Sequence, residues 1–260
     1  MSGSEASLEL VRLTWPEARE RFGPKLVCLL PIGATEPHGP HLPLDTDVTI
    51  ARAQALRAAE LFHERGVDAL VLPPLAYGLT RFTEGFEGRV TLRPGTLWAL
   101  LEDVVQSVEE QGVRHVVFVN AHLEPEHVKI LRGVAADYAD GPAHRARVLF
   151  ADNTRRRWAE ALGGEFQSGD CHAGRYESSI VLAADPGAVR EDARARLEPV
   201  KIDLIEKMRA GVKSFQAAGA EDAYCGDPAS ASPEEGRSHL DTLASLTVDS
   251  ALEAWPHLIP

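Results

Sequence analysis

The chain is short of cysteine, of surplus positive charge and of long apolar runs, and each shortage excludes a class of protein. Its three cysteines, Cys28, Cys171 and Cys225, are widely separated and form no CxxC pair. Neither a disulfide framework nor a thiolate zinc site can be built from them. The 27 Lys and Arg residues are outnumbered by 39 Asp and Glu, for a formal net charge of -12. A field of that sign repels phosphate backbones and anionic bilayers, so neither nucleic acid nor membrane is an expected partner. The longest apolar stretches, such as Lys25 to Ile32 and Val67 to Leu72, fall far below the roughly 20 residues that cross a hydrocarbon core. The first residues, Met1-Ser-Gly-Ser-Glu-Ala-Ser7, contain no basic region followed by an apolar one, which makes the cytoplasm the expected location.

What is present suits a globular α/β protein. A hydrophobic content of 44% is enough for a substantial core and rules out a disordered chain. Apolar segments read as buried strands at Lys25–Ile32, Val67–Leu72, His115–Val119 and Arg147–Phe150. Between them, helical spacing recurs through Val48, Ala51, Ala55, Ala58 and Phe62, through Leu97, Leu101, Val105 and Val108, and through Val128, Leu131, Ala135 and Tyr138. This alternation predicts a single domain over residues 1–260: a three-layer α/β/α sandwich with a mainly parallel central sheet. Tyr176 to Ala184 reads as a further helix, Tyr224 to Gly236 as a loop, and Ser238 to Trp255 as a terminal helix. Residues 154–171 give no clear pattern.

Potential metal ligands crowd the loops that follow two of the strands. One loop carries Glu36, His38, His41, Asp45 and Asp47, and another carries His122, Glu124, Glu126 and His127. In open α/β sheets ligand sites form beyond the carboxyl ends of the strands, so loops leaving parallel strands at that end can meet. Mixed imidazole and carboxylate ligands suit zinc, manganese or iron, and a carboxylate can bridge two ions. Such a pair would support metal-assisted hydrolysis of an amide or ester. Packing alone seldom requires Glu36, His38, Asp47, His122 and Glu124 together at strand ends. Glu126, His127 and His41 are expected on the surface or supporting the ligands. A third block, Gly169 to Ser179, offers His172 near a helix start with Glu177 beyond it, suited to proton transfer. A Cys171 nucleophile lacks an orienting partner, and Ser178 and Ser179 lack a nucleophile-elbow sequence.

Three blocks, Pro31 to Asp47, Asn120-Ala-His-Leu-Glu124 and His172-Ala-Gly-Arg-Tyr-Glu-Ser-Ser179, resemble those of the creatininase family in content and order. The similarity extends through Phe86 to Leu92 and Gly226 to Gly236. It implies a metal-dependent amidohydrolase with two divalent metal ions per subunit, often assembled as a hexamer. Carried over, Glu36 and His122 would hold one ion, His38 and Glu124 the other, and Asp47 would bridge them. His172 matches the residue that protonates the leaving nitrogen, and Glu177 a carboxylate that either orients the site or joins the metal shell. Glu124 and Glu177 thus stand beside His172 as catalytic candidates. Arg81, Arg89 and Asn120 are the expected substrate-binding residues, the arginines favouring an anionic small-molecule amide. The tryptophan that covers creatinine in the namesake enzyme is absent from Gln167 to Cys171. The expected reaction is therefore hydrolysis of some other non-peptide C–N bond, with a formamide deformylase or small peptidase of the same family as the alternative. A metal-binding scaffold without activity is the alternative of another class.

Overall fold

A computed structural model describes residues 7–140 and 144–260. The elements run α1 (Trp15–Arg21), β1 (Val27–Ile32), α2 (Thr46–Glu64), β2 (Ala69–Val71), α3 (Pro94–Glu110), β3 (His115–Asn120), α4 (Pro125–Asp140) and β4 (Arg147–Phe150). Short helices follow: α5 (Arg156–Ala159), α6 (Gly164–Ser168), α7 (Arg175–Ala184), α8 (Glu191–Arg194), α9 (Leu204–Arg209) and α10 (Phe215–Ala218). The long α11 (Pro233–Ala254) comes last.

The four strands form one wholly parallel sheet in the order β2-β1-β3-β4. Both faces are covered, which is why β1, β2 and β3 are buried at every position and read as continuous apolar runs. On one face Leu30, Val116 and Phe118 pack with Leu97, Leu101 and Leu131 of α3 and α4. On the other, Leu29, Val117 and Val119 pack with Ala55, Phe62, Leu246 and Ala251 of α2 and α11. Each large side chain buried this way contributes roughly 1.5–3 kcal/mol. The expected sandwich is therefore the observed one.

The terminal helix begins earlier than its composition suggests. Residues 233–236, expected in a loop, are its first turn: Pro233 stands at the start and the Ser232 hydroxyl accepts from the Glu235 amide at 3.2 Å. A Cβ at Gly236 would meet the Ser179 carbonyl at 1.8 Å, so this glycine sets the close approach of α11 to α7.

Sheet order also places the site. The chain leaves β1 towards β2 on one side and leaves β3 towards β4 on the other. Ile32 and Asn120, the last residues of these neighbours, are paired in register. The two following loops thus start side by side at the switch point of the sheet, where α/β folds open a crevice. Among the described residues, no helix is long and apolar enough to cross a membrane.

Candidate metal centre and active site

At this switch point the first loop must pass the start of α2. A Cβ on Gly33 would lie 2.6 Å from the Val48 amide nitrogen and 2.9 Å from the Asp47 Cβ, so only glycine lets the loop fold down beside Asp47. Asp47 then projects from the first turn of α2, between Glu36 and His38 of the loop, His122 after β3 and Glu177 of α7. All five are buried. His122 Nδ1 lies 3.0 Å from Asp47 Oδ2 and 3.2 Å from Glu36 Oε1. His38 Nε2 lies 3.2 Å from Asp47 Oδ1 and 3.6 Å from Glu177 Oε2. Asp47 therefore belongs to two ligand-like groups, one with Glu36 and His122 and one with His38 and Glu177.

The other nitrogen of each histidine shows what these groups can hold. His38 Nδ1 donates to the Glu36 carbonyl at 3.0 Å, His122 Nε2 to the Leu79 carbonyl at 2.5 Å, and His172 Nε2 to the Pro37 carbonyl at 3.0 Å. A carbonyl only accepts, so each of these nitrogens carries the proton. The inward nitrogen of His122 consequently faces Glu36 and Asp47, and that of His38 faces Asp47 and Glu177 with the His172 ring beside it; a proton or a metal cation can stand between each nitrogen and its carboxylates. His38 Nε2 and Asp47 Oδ2 are buried without hydrogen-bond alignment to any partner, which fits an ion better than a proton.

Electrostatics agree. Burial opposes charge on His38, but Asp47, Glu177 and Glu36 outweigh it and push the imidazole up to about 10. Burial likewise opposes charge on His122, and Glu36 and Asp47 raise it well above its ordinary value. Asp47 and Glu36 are held below the usual carboxylate range, the histidines overcoming the effect of burial. Glu177 moves the other way, its burial and the nearby Asp47 charge lifting it to about 8 against the pull of His38. Without metal, protons on the histidines supply the positive charge that this buried carboxylate cluster requires.

The remaining expected residues divide. Glu124 is buried but stands outside both groups: its Oε2 accepts from the amides of Arg81 and Phe82 at 2.7 and 3.1 Å. The pairing expected for His38 is thus made by Glu177 in place of Glu124. Burial raises the Glu124 carboxyl, as does the charge on Glu36. His172 Nδ1 lies 4.0 Å from Glu36 Oε1, with its ring stacked on Phe215 at 4.1 Å. Burial and the neighbouring His38 lower its imidazole to about 3.

Asn120 donates to the His122 carbonyl at 2.6 Å and accepts from His127 Nε2 at 3.1 Å. Both ends of its amide are occupied inside the protein, so it braces the loop and does not face substrate. Arg81 and Arg89 need a similar correction. Arg81 is exposed, Arg89 reaches back to the Thr80 carbonyl, and neither lines the cavity. Glu126 is exposed as expected, while His41 and His127 are buried. His41 Nε2 meets Ser178 Oγ at 2.8 Å, a spacing seen in nucleophile–base pairs, but both residues are fully buried and line no part of the cavity. Cys171 does line it, but burial drives its thiol well above the ordinary value, away from thiolate chemistry.

The cavity above the cluster has a volume of about 900 Å³. Glu36, Asp47, His122, Glu124, His172 and Glu177 form its floor. Its apolar walls include Phe82, Phe166, Leu204, Met208 and Phe215, and three arginines at the rim, Arg132, Arg156 and Arg209, were not expected. Only the positions of Val128 and Arg132, one and two helical turns beyond Glu124, carried a signal for this in the sequence.

Comparison with known proteins gives a consistent result. The creatininase family model, described as creatinine amidohydrolase, matches residues 11–250. A mycofactocin precursor peptide peptidase of Mycolicibacterium smegmatis is 34% identical over 210 residues, 80% of this chain and 77% of that protein. A creatinine amidohydrolase of Pseudomonas putida is 33% identical over 118 residues, 43% of this chain and 44% of that protein. Among solved structures, a creatinine amidohydrolase (creatininase) aligns with a TM-score of 0.74 at 24% identity, covering 96% of this chain and 98% of that one. A structure described as creatininase Mn aligns at 0.73 with 23% identity, covering 96% and 100%. With the fold, the order of its site residues and the family match in agreement, the chain belongs to the creatininase family of hydrolases.

Proposed function

We propose that this hydrolase uses two divalent ions to cleave an amide C–N bond, with Asp47 between them, Glu36 and His122 completing one site and His38 and Glu177 the other. The observation that carries this reading is the set of histidine nitrogens turned towards carboxylates while their partners are tied to main-chain carbonyls. Zinc, manganese and iron all accept such donors. When bound, a metal pair supplies a water of lowered pKa and polarises a carbonyl. Glu124, fixed through one oxygen and raised by burial, is suited to accept a proton from the attacking water. His172 begins neutral, with its tautomer set by the Pro37 carbonyl and its ring plane by Phe215. Its Nδ1, unprotonated at rest, can take up the proton that Glu124 draws from the attacking water and pass it to the departing nitrogen.

A volume of about 900 Å³ is near the upper end for small-ligand sites, which span roughly 300–1,000 Å³. Together with a relative named as a peptide peptidase, this supports an extended, peptide-like amide as substrate. Similarity to a creatinine amidohydrolase supports a second reading, a compact cyclic amide or formamide. We read the whole chain as one domain, in line with a family match over residues 11–250, and, on the family resemblance alone, as a homo-oligomer.

The test is to load the purified chain with zinc, manganese or iron, count the ions by elemental analysis, and assay short peptides, lactams, cyclic ureas and formamides. Two ions per chain with release of an amine from the peptides is the expected result. Two bound ions with no hydrolysis anywhere on the panel would establish the scaffold alternative.

A further inference from the structure

The cavity mouth carries a feature that the hydrolytic floor does not use. Glu124, Val128 and Arg132 are spaced i, i+4 and i+8 at the start of α4 and along it, and all three line the cavity. At about 1.5 Å per residue, Arg132 stands about 12 Å along the helix axis from Glu124. Its guanidinium is held in place: Nε donates to Asp152 Oδ2 at 2.9 Å and Nη2 to Thr154 Oγ1 at 2.8 Å. The Asp152 side chain is only 2% exposed, whereas that of Arg132 is 52% exposed. Thr154 is in turn fixed on Asp152 Oδ1 through its amide and hydroxyl, at 3.1 and 2.6 Å. A buried carboxylate thus presents an arginine to open solvent with Nη1 uncommitted among the described residues. An ion pair serving stability alone would not need to sit at the mouth of the cavity.

Two further arginines share that mouth in a protein whose formal charge is -12. Arg156 is paired with Glu160 at 2.7 Å. Arg209, exposed at the end of α9, forms no ion pair among the described residues and follows the apolar Leu204, Ile205 and Met208 on the wall. Glu160 lines the cavity as well and offsets Arg156, so the donors left for an anion at the mouth, among the described residues, are the free Nη1 edge of Arg132 and the unpaired Arg209, beyond an apolar middle and the ligand cluster of the floor.

We propose that Arg132, assisted by Arg209, is the specificity-determining anchor for a carboxylate on the substrate, held away from the scissile amide by an apolar segment. The inference deepens the hydrolase reading above and rests on it. It also moves the anionic recognition expected at Arg81 and Arg89, neither of which lines the cavity, to the cavity mouth.

Two probes with a metal-binding hydroxamate and the same apolar spacer test it, one ending in a carboxylate and the other in a carboxamide. Calorimetric titration of the metal-loaded full chain should show the carboxylate probe binding about tenfold more tightly or better, as a charge-assisted hydrogen bond provides. Arg132→Gln should bring the two affinities close together while leaving the carboxamide affinity unchanged, and Arg132→Lys should fall between. Arg209→Gln, at an exposed position that folding does not depend on, should reduce the ratio in part and decides the matter if Arg132→Gln does not fold. Equal affinities in the unmodified chain, or a ratio preserved in both glutamine variants, would overturn the proposal alone. Failure of the unmodified chain to bind either probe would overturn the metal-hydrolase reading and the proposal with it.

Discussion

The floor of the cavity and its walls are built by opposite means. The floor hangs from the ends of β1 and β3 and from the first turns of α2 and α7; β1, β3 and α2 are anchored in the two largest cores, and α7 in a third through Tyr176, Ile180 and Val181. The walls come largely from helices of four to six residues between positions 156 and 218. Helices that short are not stable alone. They are held by carboxylates that gather main-chain amides: Asp170 accepts from Ile202, Asp203 and Leu204, and Glu165 from Tyr176 and Asp227. The floor is thus placed by large packed elements, and the walls by short helices tied together through single carboxylates.

The sharpest way to break this contrast is Asp47→Ala. If this carboxylate serves both ions, elemental analysis should find neither retained and hydrolysis should vanish; two ions per chain in the variant would refute the shared ligand. His172→Ala should instead keep the metal and lose about 10²–10⁴-fold in turnover, as loss of a positioned proton carrier does. Loss of the ions in that variant would assign His172 to the ligand set.

Asn120→Ala probes how firmly the floor is braced. It leaves the His122 carbonyl and His127 Nε2 without their partner, at a cost of about 1–3 kcal/mol, and should weaken metal binding about 10–100-fold. Chemical denaturation and competition with a chelator measure the two effects. An Asn120→Ala variant with unaltered metal affinity but a raised KM would return this residue to substrate binding.

The smallest expected effect is on the pH dependence of the metal-free chain. His38, raised from 6.5 to about 10, contributes stability that is full below pH 6.5 and is lost as pH rises through 10. Glu177, raised from 4.5 to about 8, binds its proton more tightly in the fold than in the unfolded chain, so its contribution is lost between those values in the same direction. On the acid side His172, lowered to about 3, reverses the sign: its contribution is full above 6.5 and falls away below it. The melting temperature of the metal-free protein should therefore drop from pH 7 to pH 10, while that of the metal-loaded protein changes less. Parallel profiles with and without metal would contradict charge balance by the ions.

Much of the ligand cluster is readable along the chain, because Glu36, His38 and Asp47 fall within one short block and His122 and Glu124 within another, each following an apolar run that reads as a buried strand. Periodicity also locates the four strands and the helices from α2 to α4, whose apolar spacing spans several turns. It fails for α5, α6, α9 and α10, since four to six residues are too few to show a repeat. For the same reason Arg209 has no visible link to the cavity, and Arg81, which lies nearer in sequence to the chemistry, attracts attention it does not merit. The exchange of Glu124 for Glu177 beside His38 has another cause: the amides of Arg81 and Phe82 draw the Glu124 carboxylate aside, a competition no spacing rule contains.

His38, His122 and His172 take their orientation from the carbonyls of residues 36, 79 and 37, respectively. No amino-acid replacement can delete a carbonyl, so mutation of Pro37 or Leu79 leaves these tethers chemically intact as long as the loop keeps its path. Such wiring lets side chains around the crevice be exchanged while the three imidazoles keep their aim, because what holds them is main chain.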